Sequence, residues 1–570
     1  MPRALILLAL LAAGAAAVSG RARTASPAPS SLRFDEVASA AGLGGFRHVG
    51  GSTPDKRYIV EVMSGGVCAA DFDGDGWTDI FFVGGGRFES LDGRAAPPPH
   101  ALFRNRGDGS FEDVTARSGL TNAGWSMGCA AADEDGDGRP DLYVTNYRSP
   151  NQLFRNRGGF AFEDVTARTG AGGPPGRWNT GATFGDMDGD GDLDLFVAGY
   201  VALDPAHLLE PGSNRYCVHQ GLPVNCGPRG LPGEGDLLLR RDGDGTFTDV
   251  AALLGIDREK LYGLGAAFLP LGDDQRQWLL VANDSTPNAV YRPRDGGLAE
   301  VGLASGLALS EEGNEQASMG IAWGDYDRDL RLDLYLTSFV DDYNTLYRGL
   351  EGGAFEDVTR RAQLAQPTWL YMGWGTAFAD LDRDGWSDLV VANGHVYPQV
   401  DTLDVVSRYR MPMQVFLNRG DGTFAELPRA ALVGGAVGRG LAVADFWNDG
   451  RLSFAINTLD GPPLLYRNRS TGGHALELRL EGAGSNRDAI GARVEARWEG
   501  GRALRVVASG GSYLSSSDPR VHVGIGEATR ADLDVTWPDG RRQALRGLAA
   551  DRLYALREGA APIERRRLAP

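Results

Sequence analysis

The chain reads as all-β: a seven-bladed β-propeller over residues 32–470, its last blade closed by the N-terminal strand, followed by a small β-rich domain over 471–558. Three observations carry this expectation. An Asp-rich loop recurs along the chain, a Phe-Glu-Asp-Val strand recurs with it, and one copy of that strand stands alone ahead of the first loop. Repeats of roughly 50 to 65 residues, each holding four short strands, suit radial blades that cover one another's faces and leave few open edges.

The loop is clearest at Asp71-Phe72-Asp73-Gly74-Asp75-Gly76-Trp77-Thr78-Asp79. Carboxylates at positions 1, 3, 5 and 9, with a Gly at 6 for the bend and a main-chain carbonyl at 7, supply hard oxygen ligands for one Ca²⁺. The expected ligands are Asp71, Asp73, Asp75, Trp77 through its carbonyl, and Asp79. The pattern returns as Asp133, Asp135, Asp137, Arg139 and Asp141, as Asp186, Asp188, Asp190, Asp192 and Asp194, and as Asp380, Asp382, Asp384, Trp386 and Asp388. A fifth copy, Asp325, Asp327, Asp329, Arg331 and Asp333, has Leu330 where Gly is expected. Four Ca²⁺ sites and a degenerate fifth are therefore expected, while the equivalents at 269–277 and 445–453 have lost the pattern and read as metal-free turns. An EF-hand is excluded, since each loop runs into a β segment instead of reaching a Glu at position 12.

In chain order, the strand Leu32–Val37 is followed by copies at Phe111–Val114, Phe162–Val165, Phe247–Val250, Leu298–Val301, Phe355–Val358 and Phe424–Leu427. A third piece, Leu102-Phe103-Arg104-Asn105, recurs at Leu153–Asn156, Leu346–Arg348, Phe416–Asn418 and Leu465–Asn468. The seventh unit stops after its third strand, so the orphan strand at 32–37 completes it and locks the ring. Beyond 471 the period ends, and alternating strands such as Ala475–Leu480 and Arg493–Trp498 mark a separate domain. The last residues, 559–570, read as a frayed tail.

A content of 81 Gly in 570 residues, without collagen periodicity, suits a protein of many turns. The formal net charge of −18 argues against nucleic-acid or anionic-membrane partners. The apolar run Ala4–Val18 behind Arg3 reads as a signal peptide, residues 1–19, with a linker at 20–31; retention as an anchor is the alternative. Export would place the chain outside the cell, in the periplasm or on the cell surface. Cys217 and Cys226, in one Gly/Pro-rich insertion, form the expected disulfide, whereas Cys68 and Cys129 read as small buried thiols.

The repeats resemble FG-GAP/VCBS repeats, the propeller units of integrin heads. Gly484-Ser485-Asn486-Arg487-Asp488-Ala489-Ile490-Gly491, Gly511-Ser512-Tyr513-Leu514-Ser515-Ser516-Ser517-Asp518 and Val535-Thr536-Trp537-Pro538-Asp539-Gly540 are similar to an ASPIC/UnbV domain. Together they resemble the cartilage acidic protein family and its bacterial relatives over nearly the whole mature chain. The resemblance implies a secreted Ca²⁺-binding propeller and leaves the activity open.

If Ca²⁺ decorates one face, the opposite face collects Asn146, Tyr147, Tyr200, Asn283, Asp284, Asn393 and His395, with Trp125, Trp178 and Trp369 from the connections. Amide, carboxylate and aromatic groups around an axis suit a glycan or a protein ligand; the same residues also suit turn-holding and gap-filling. No nucleophile elbow, zinc motif or phosphate-binding loop is present in the sequence. The reading is a non-enzymatic, Ca²⁺-dependent binding or adhesion protein. The alternative is a Ca²⁺-stabilised enzyme acting on a glycan or lipid-like metabolite, in which His395 would sit within hydrogen-bond reach of Asp284 or Asp342.

Overall fold

A computed structural model describes residues 32–256, 260–403, 407–432 and 434–568, and secondary structure in these is mostly strand. The expected signal peptide and linker fall outside the described residues. Residues up to 468 form seven separate four-stranded antiparallel sheets in chain order. The first comprises Val67–Ala70, Asp79–Phe82, Ala101–Asn105 and Phe111–Asp113. The seventh comprises Gly438–Ala444, Ser453–Thr458, Leu464–Asn468 and the distant Phe34–Glu36, which pairs Phe34 with Asn468 and Glu36 with Tyr466.

Each sheet buries both faces, which is why strands such as Ile80-Phe81-Phe82 are continuously apolar. First strands carry small residues, as in Val67-Cys68-Ala69-Ala70 and Gly438-Arg439-Gly440-Leu441-Ala442-Val443-Ala444, so neighbouring backbones can approach closely. The first strand of each sheet packs against that of the next, and Gly438–Ala444 packs back against Val67–Ala70. Separate apolar cores lie between successive sheets, including one in which Ala442 and Phe446 meet Ile80 and Phe103.

Local chemistry explains the recurring motifs. The Asp of Phe-Glu-Asp-Val makes an Asx turn that leads into a short helical turn, Asp113 Oδ1 accepting from Thr115 N at 2.9 Å and Asp164 Oδ1 from Thr166 N at 3.0 Å. The Asn of Leu-Phe-Arg-Asn stitches neighbouring sheets. Asn156 Nδ2 donates to Pro140 O in its own sheet's loop (3.0 Å) and to Phe72 O in the preceding one (2.8 Å). Asn105, Asn418 and Asn468 repeat the arrangement.

Two expectations are corrected here. Cys68 and Cys129 are disulfide-bonded, joining the first strands of the first two sheets; sixty-one residues apart is about one repeat, which places them on adjacent strands. Cys217 and Cys226 form the second disulfide. The tail is ordered in part, since Ile563–Arg567 pairs antiparallel with Arg552–Arg557 and Arg566 lies 4.3 Å over the Trp77 ring. The open sheet edge and the half-buried Trp77 indole give these arginines partners that charge alone does not reveal.

The C-terminal region is also not separate. Its two four-stranded sheets share one core with residues of the second and third sheets. Between them, residues 509–518 hydrogen-bond to the first strand of every one of the seven sheets. Ser516 N donates to Val67 O at 3.1 Å and Cys129 N to Leu514 O at 3.0 Å. Thr183 Oγ1 donates to Ser509 O (2.8 Å) and Gly511 N to Ala266 O (3.2 Å). Ser512 exchanges bonds with Ile321, Thr376 N donates to Ser512 Oγ, and Asp518 N donates to Val443 O. Inner strands whose edges would otherwise need water find their partners in this one segment.

Candidate metal centres and ligand face

The acidic loops join first to second strands. In five of them the carboxylates at positions 1, 3 and 9 converge, with ligand atoms all within 4.8 Å of one another: Asp71, Asp73 and Asp79; Asp133, Asp135 and Asp141; Asp186, Asp188 and Asp194; Asp325, Asp327 and Asp333; Asp380, Asp382 and Asp388. Position 9 is anchored by main-chain donors. Asp79 Oδ1 accepts from Asn105 N (2.8 Å) and Oδ2 from Phe72 N (2.9 Å), and Asp388 accepts likewise from Asn418 N and Leu381 N. Position 1 closes the turn, Asp71 Oδ2 accepting from Gly76 N at 3.0 Å.

Position 5 stands apart from these clusters. Asp75, Asp137, Asp190, Asp329 and Asp384 each accept the N–H of position 7, from Trp77, Arg139, Asp192, Arg331 and Trp386, at 2.8 to 3.0 Å. These bonds are Asx turns that shape the loop from outside the three-oxygen cluster. Gly76 has φ +84°, and Leu330 takes φ +71° at the same place in the degenerate copy. That conformation costs a non-Gly residue about 1–2 kcal/mol, yet the cluster of Asp325, Asp327 and Asp333 still forms.

The electrostatics fit a hard cation. Burial, opposed by its two main-chain donors, pushes Asp79 up to about 9; burial followed by the charge of Asp488 pushes Asp133 up to about 7. Asp71 Oδ1, Asp133 Oδ1, Asp135 Oδ1 and Asp380 Oδ1 are buried with no hydrogen-bond partner. Orphan carboxylate oxygens within a three-Asp cluster are what a metal ion would satisfy. Arginines offset part of the charge, Arg104 lying 3.0 Å from Asp73 and 3.1 Å from Asp75. The C-terminal region docks on the same loops: Arg479 meets Asp71 at 3.2 Å, Asp488 Oδ2 accepts from Asp133 N at 2.7 Å, and Leu504 N donates to Asp325 Oδ2 at 2.9 Å. Cavities of about 160 and 460 Å³ lie between these parts, and the larger is lined by already paired groups such as Arg479, Asp71 and Arg520.

Second strands carry the chain from the acidic loops to the other end of each sheet. There Asn146, Asn283 and Asn393 are buried; the first two hold turns, donating to the carbonyls of Pro150 and Pro287, and Asn393 donates to Pro412 O across a longer connection. Trp125, Tyr147, Trp178 and Tyr200 form a buried edge-to-face row with centroids 5.9, 5.1 and 4.9 Å apart. Trp369 is 44 % exposed. His395 is buried among His219, Phe339 and Tyr397; its Nδ1 accepts from Tyr397 N at 2.9 Å, and burial holds the imidazole down to about 3. It makes no hydrogen bond to Asp284 or Asp342 among the described residues.

Tyr200 and Asp284 do meet. The Tyr200 hydroxyl donates to Asp284 Oδ2 at 2.6 Å, on the wall of a cavity of about 300 Å³. Phe339, Trp374 and Tyr397 share the lining with Val62, Met63 and Met319, and the disulfide-tied insertion contributes Tyr216, Asn225 and Arg229. Tyr216 and Arg229 were not singled out in the sequence, where their insertion showed only as a Gly/Pro-rich stretch with two Cys.

A family model described as FG-GAP-like repeat matches residues 71–144, 133–197, 325–391 and 402–456, and one described as ASPIC and UnbV matches 482–563. Cartilage acidic protein 1 of Mus musculus is 23% identical over 86% of this chain and 64% of its own length; that of Xenopus tropicalis is 24% identical over 84% and 61%. The chain thus spans somewhat over three-fifths of these relatives. A solved structure titled for an Agrocybe aegerita protein's recognition of non-reducing terminal N-acetylglucosamine is 15% identical, covers 70% of this chain and 86% of that one, and has a TM-score of 0.36, too low to carry an argument. No helix among the described residues is long and apolar enough to cross a membrane. The chain is a protein of FG-GAP-like repeats with a C-terminal ASPIC and UnbV region, homologous along most of its length to cartilage acidic protein 1.

Proposed function

We propose that this is an exported Ca²⁺-binding protein, a closed seven-bladed propeller that binds a glycan or protein ligand on the face across from its acidic loops. The single observation that carries the reading is the lined cavity at Tyr200 and Asp284, roofed by the disulfide-tied insertion, while the C-terminal region covers the opposite end. Closure is supported by the circuit of first strands and by the one segment, 509–518, that bonds to all seven of them. Ca²⁺ is the ion of choice because every donor is a hard oxygen and the loops present carboxylates without thiol or imidazole. It would be held by Asp71, Asp73 and Asp79 and their four counterparts. Its charge would relieve carboxylate repulsion and fix the hairpins that present the far face.

Export is supported by the apolar run Ala4–Val18 and by two disulfides, which suit an oxidising compartment. A glycan array probed with the full chain, with and without Ca²⁺, tests the function. Binding that disappears on substitution of Tyr397, which lines the cavity, is the expected result. Binding unaffected by changes at the cavity would place the ligand elsewhere, and no binding to the array or to extracellular protein fractions would refute the reading.

A further inference from the structure

We propose that the cavity at Tyr200 and Asp284 takes a quaternary ammonium group, an organic cation that donates no hydrogen bonds; the inference rests on the ligand-face reading above. The cavity's charge is the first argument. Asp284, Asp342 and Glu315 face it against one guanidinium, Arg229, which Glu315 holds at 3.6 Å. Asp284 has no ion-pair partner among the described residues. Its two oxygens accept instead from hydroxyls, Tyr200 at 2.6 Å and Ser285 at 2.8 Å. Asp342 repeats the pattern, accepting from Gln316 Nε2 (2.9 Å), Tyr343 N (2.8 Å) and Ser338 Oγ (2.9 Å), again without a cation.

The second argument is the wall. Tyr200, Tyr216, Phe339, Trp374 and Tyr397 surround these carboxylates together with apolar Val62, Met63 and Met319. Aromatic rings attract a desolvated cation through their quadrupole. A hydrated divalent ion would lose its water against such walls with too few oxygens to replace it. An anion would be repelled, and a neutral ligand would leave the Asp284 charge uncompensated in a largely apolar site. Because the carboxylate oxygens already accept hydrogen bonds, a cation with no donors matches both the charge and the wall. Buried Arg439 lies 4.0 Å over Trp374 outside the lining and is held by the carbonyls of Val62, Gly394, Gly438 and His395, and buried Lys56 pairs with Asp460. A volume of about 300 Å³ is at the low end for a small-molecule site and ample for a trimethylammonium head.

The test is a calorimetric titration of the Ca²⁺-supplemented full chain with choline and, in parallel, with 3,3-dimethylbutan-1-ol, which has the same shape and no charge. Saturable choline binding, at least tenfold tighter than that of the neutral alcohol and at least tenfold weaker in Asp284→Asn, is expected. Asp342→Asn provides a second reading if Asp284→Asn fails to fold. Equal binding of the two probes, no saturable choline binding, or undiminished choline binding in both folded variants overturns the inference. A positive glycan array that is lost on changing Tyr397, together with silence toward choline, would overturn the cation alone and leave the ligand face standing.

Discussion

The hydroxyl of Tyr513 donates to the main-chain carbonyl of Met63 at 2.5 Å across 450 residues of sequence. The ring is fully buried and meets Trp374 edge-on at 4.6 Å. A side chain from the C-terminal region therefore sits in the same core as Met63, Met319 and Tyr397 of the cavity lining.

Removing that ring should cost the whole molecule. Tyr513→Ala is expected to lower unfolding free energy by about 3–5 kcal/mol, as for other large buried aromatics, and Tyr513→Phe by about 1–2 kcal/mol for the lost hydrogen bond. Denaturation in urea, followed by near-ultraviolet circular dichroism, measures this. Unchanged stability in Tyr513→Ala would contradict the axial role.

Chelation should lower the melting temperature, and added Ca²⁺ should restore it in proportion to the logarithm of its concentration, reaching about 2.7 kcal/mol per site at a hundred times Kd. Asp380→Asn should remove one ion from the bound count, as measured by elemental analysis of the purified protein. A chain that carries no metal and shows no shift with chelator would sink the metal proposal.

Acid should destabilise the metal-loaded protein through its buried histidines. His100 accepts a hydrogen bond on Nδ1 from Gly84 N at 3.2 Å, and burial holds its imidazole down to about 4. A folded value below the ordinary 6.5 means that the unfolded chain takes the proton first. The stabilisation is complete above pH 6.5 and is lost as pH falls toward 4, by about 3 kcal/mol in full. Urea midpoints at pH 7 and pH 5 should fall less for His100→Gln than for the parent. Parallel slopes in the two proteins would count against the assignment.

The two disulfides should differ in worth. Closing the loop of 61 residues between Cys68 and Cys129 is worth about 4 kcal/mol on chain entropy, against about 2–3 kcal/mol for the nine between Cys217 and Cys226. Double alanine variants of each pair, compared by urea denaturation, test the order. The second pair should also loosen the insertion that roofs the cavity, so its loss should weaken ligand binding more than that of the first. A reversed order of stability would show that strain or residual structure outweighs loop closure.

Much of the fold was legible because it is written in local, repeated chemistry. The three-Asp clusters and the turn after Phe-Glu-Asp-Val follow from spacing within one repeat, and the orphan strand that pairs with Leu464–Asn468 follows from counting strands across the repeats. The candidate ligand residues were less legible. Asn146, Asn283 and Asn393 share a position in the repeat and each donates to a main-chain carbonyl there, and position alone does not separate that task from ligand contact.

The amino-acid sequence by itself determined the repeats, their acidic loops and the order of the strands, since periods of two residues and of about one blade survive in the linear text. The tertiary structure alone decided that Cys68 meets Cys129, that Asn156 reaches Phe72, that Tyr513 reaches Met63, and that Asp284 meets Tyr200 in a lined cavity. Each of these pairs joins separate parts of the chain. Packing the sheets side by side around one segment sets such distances, and no local pattern records them.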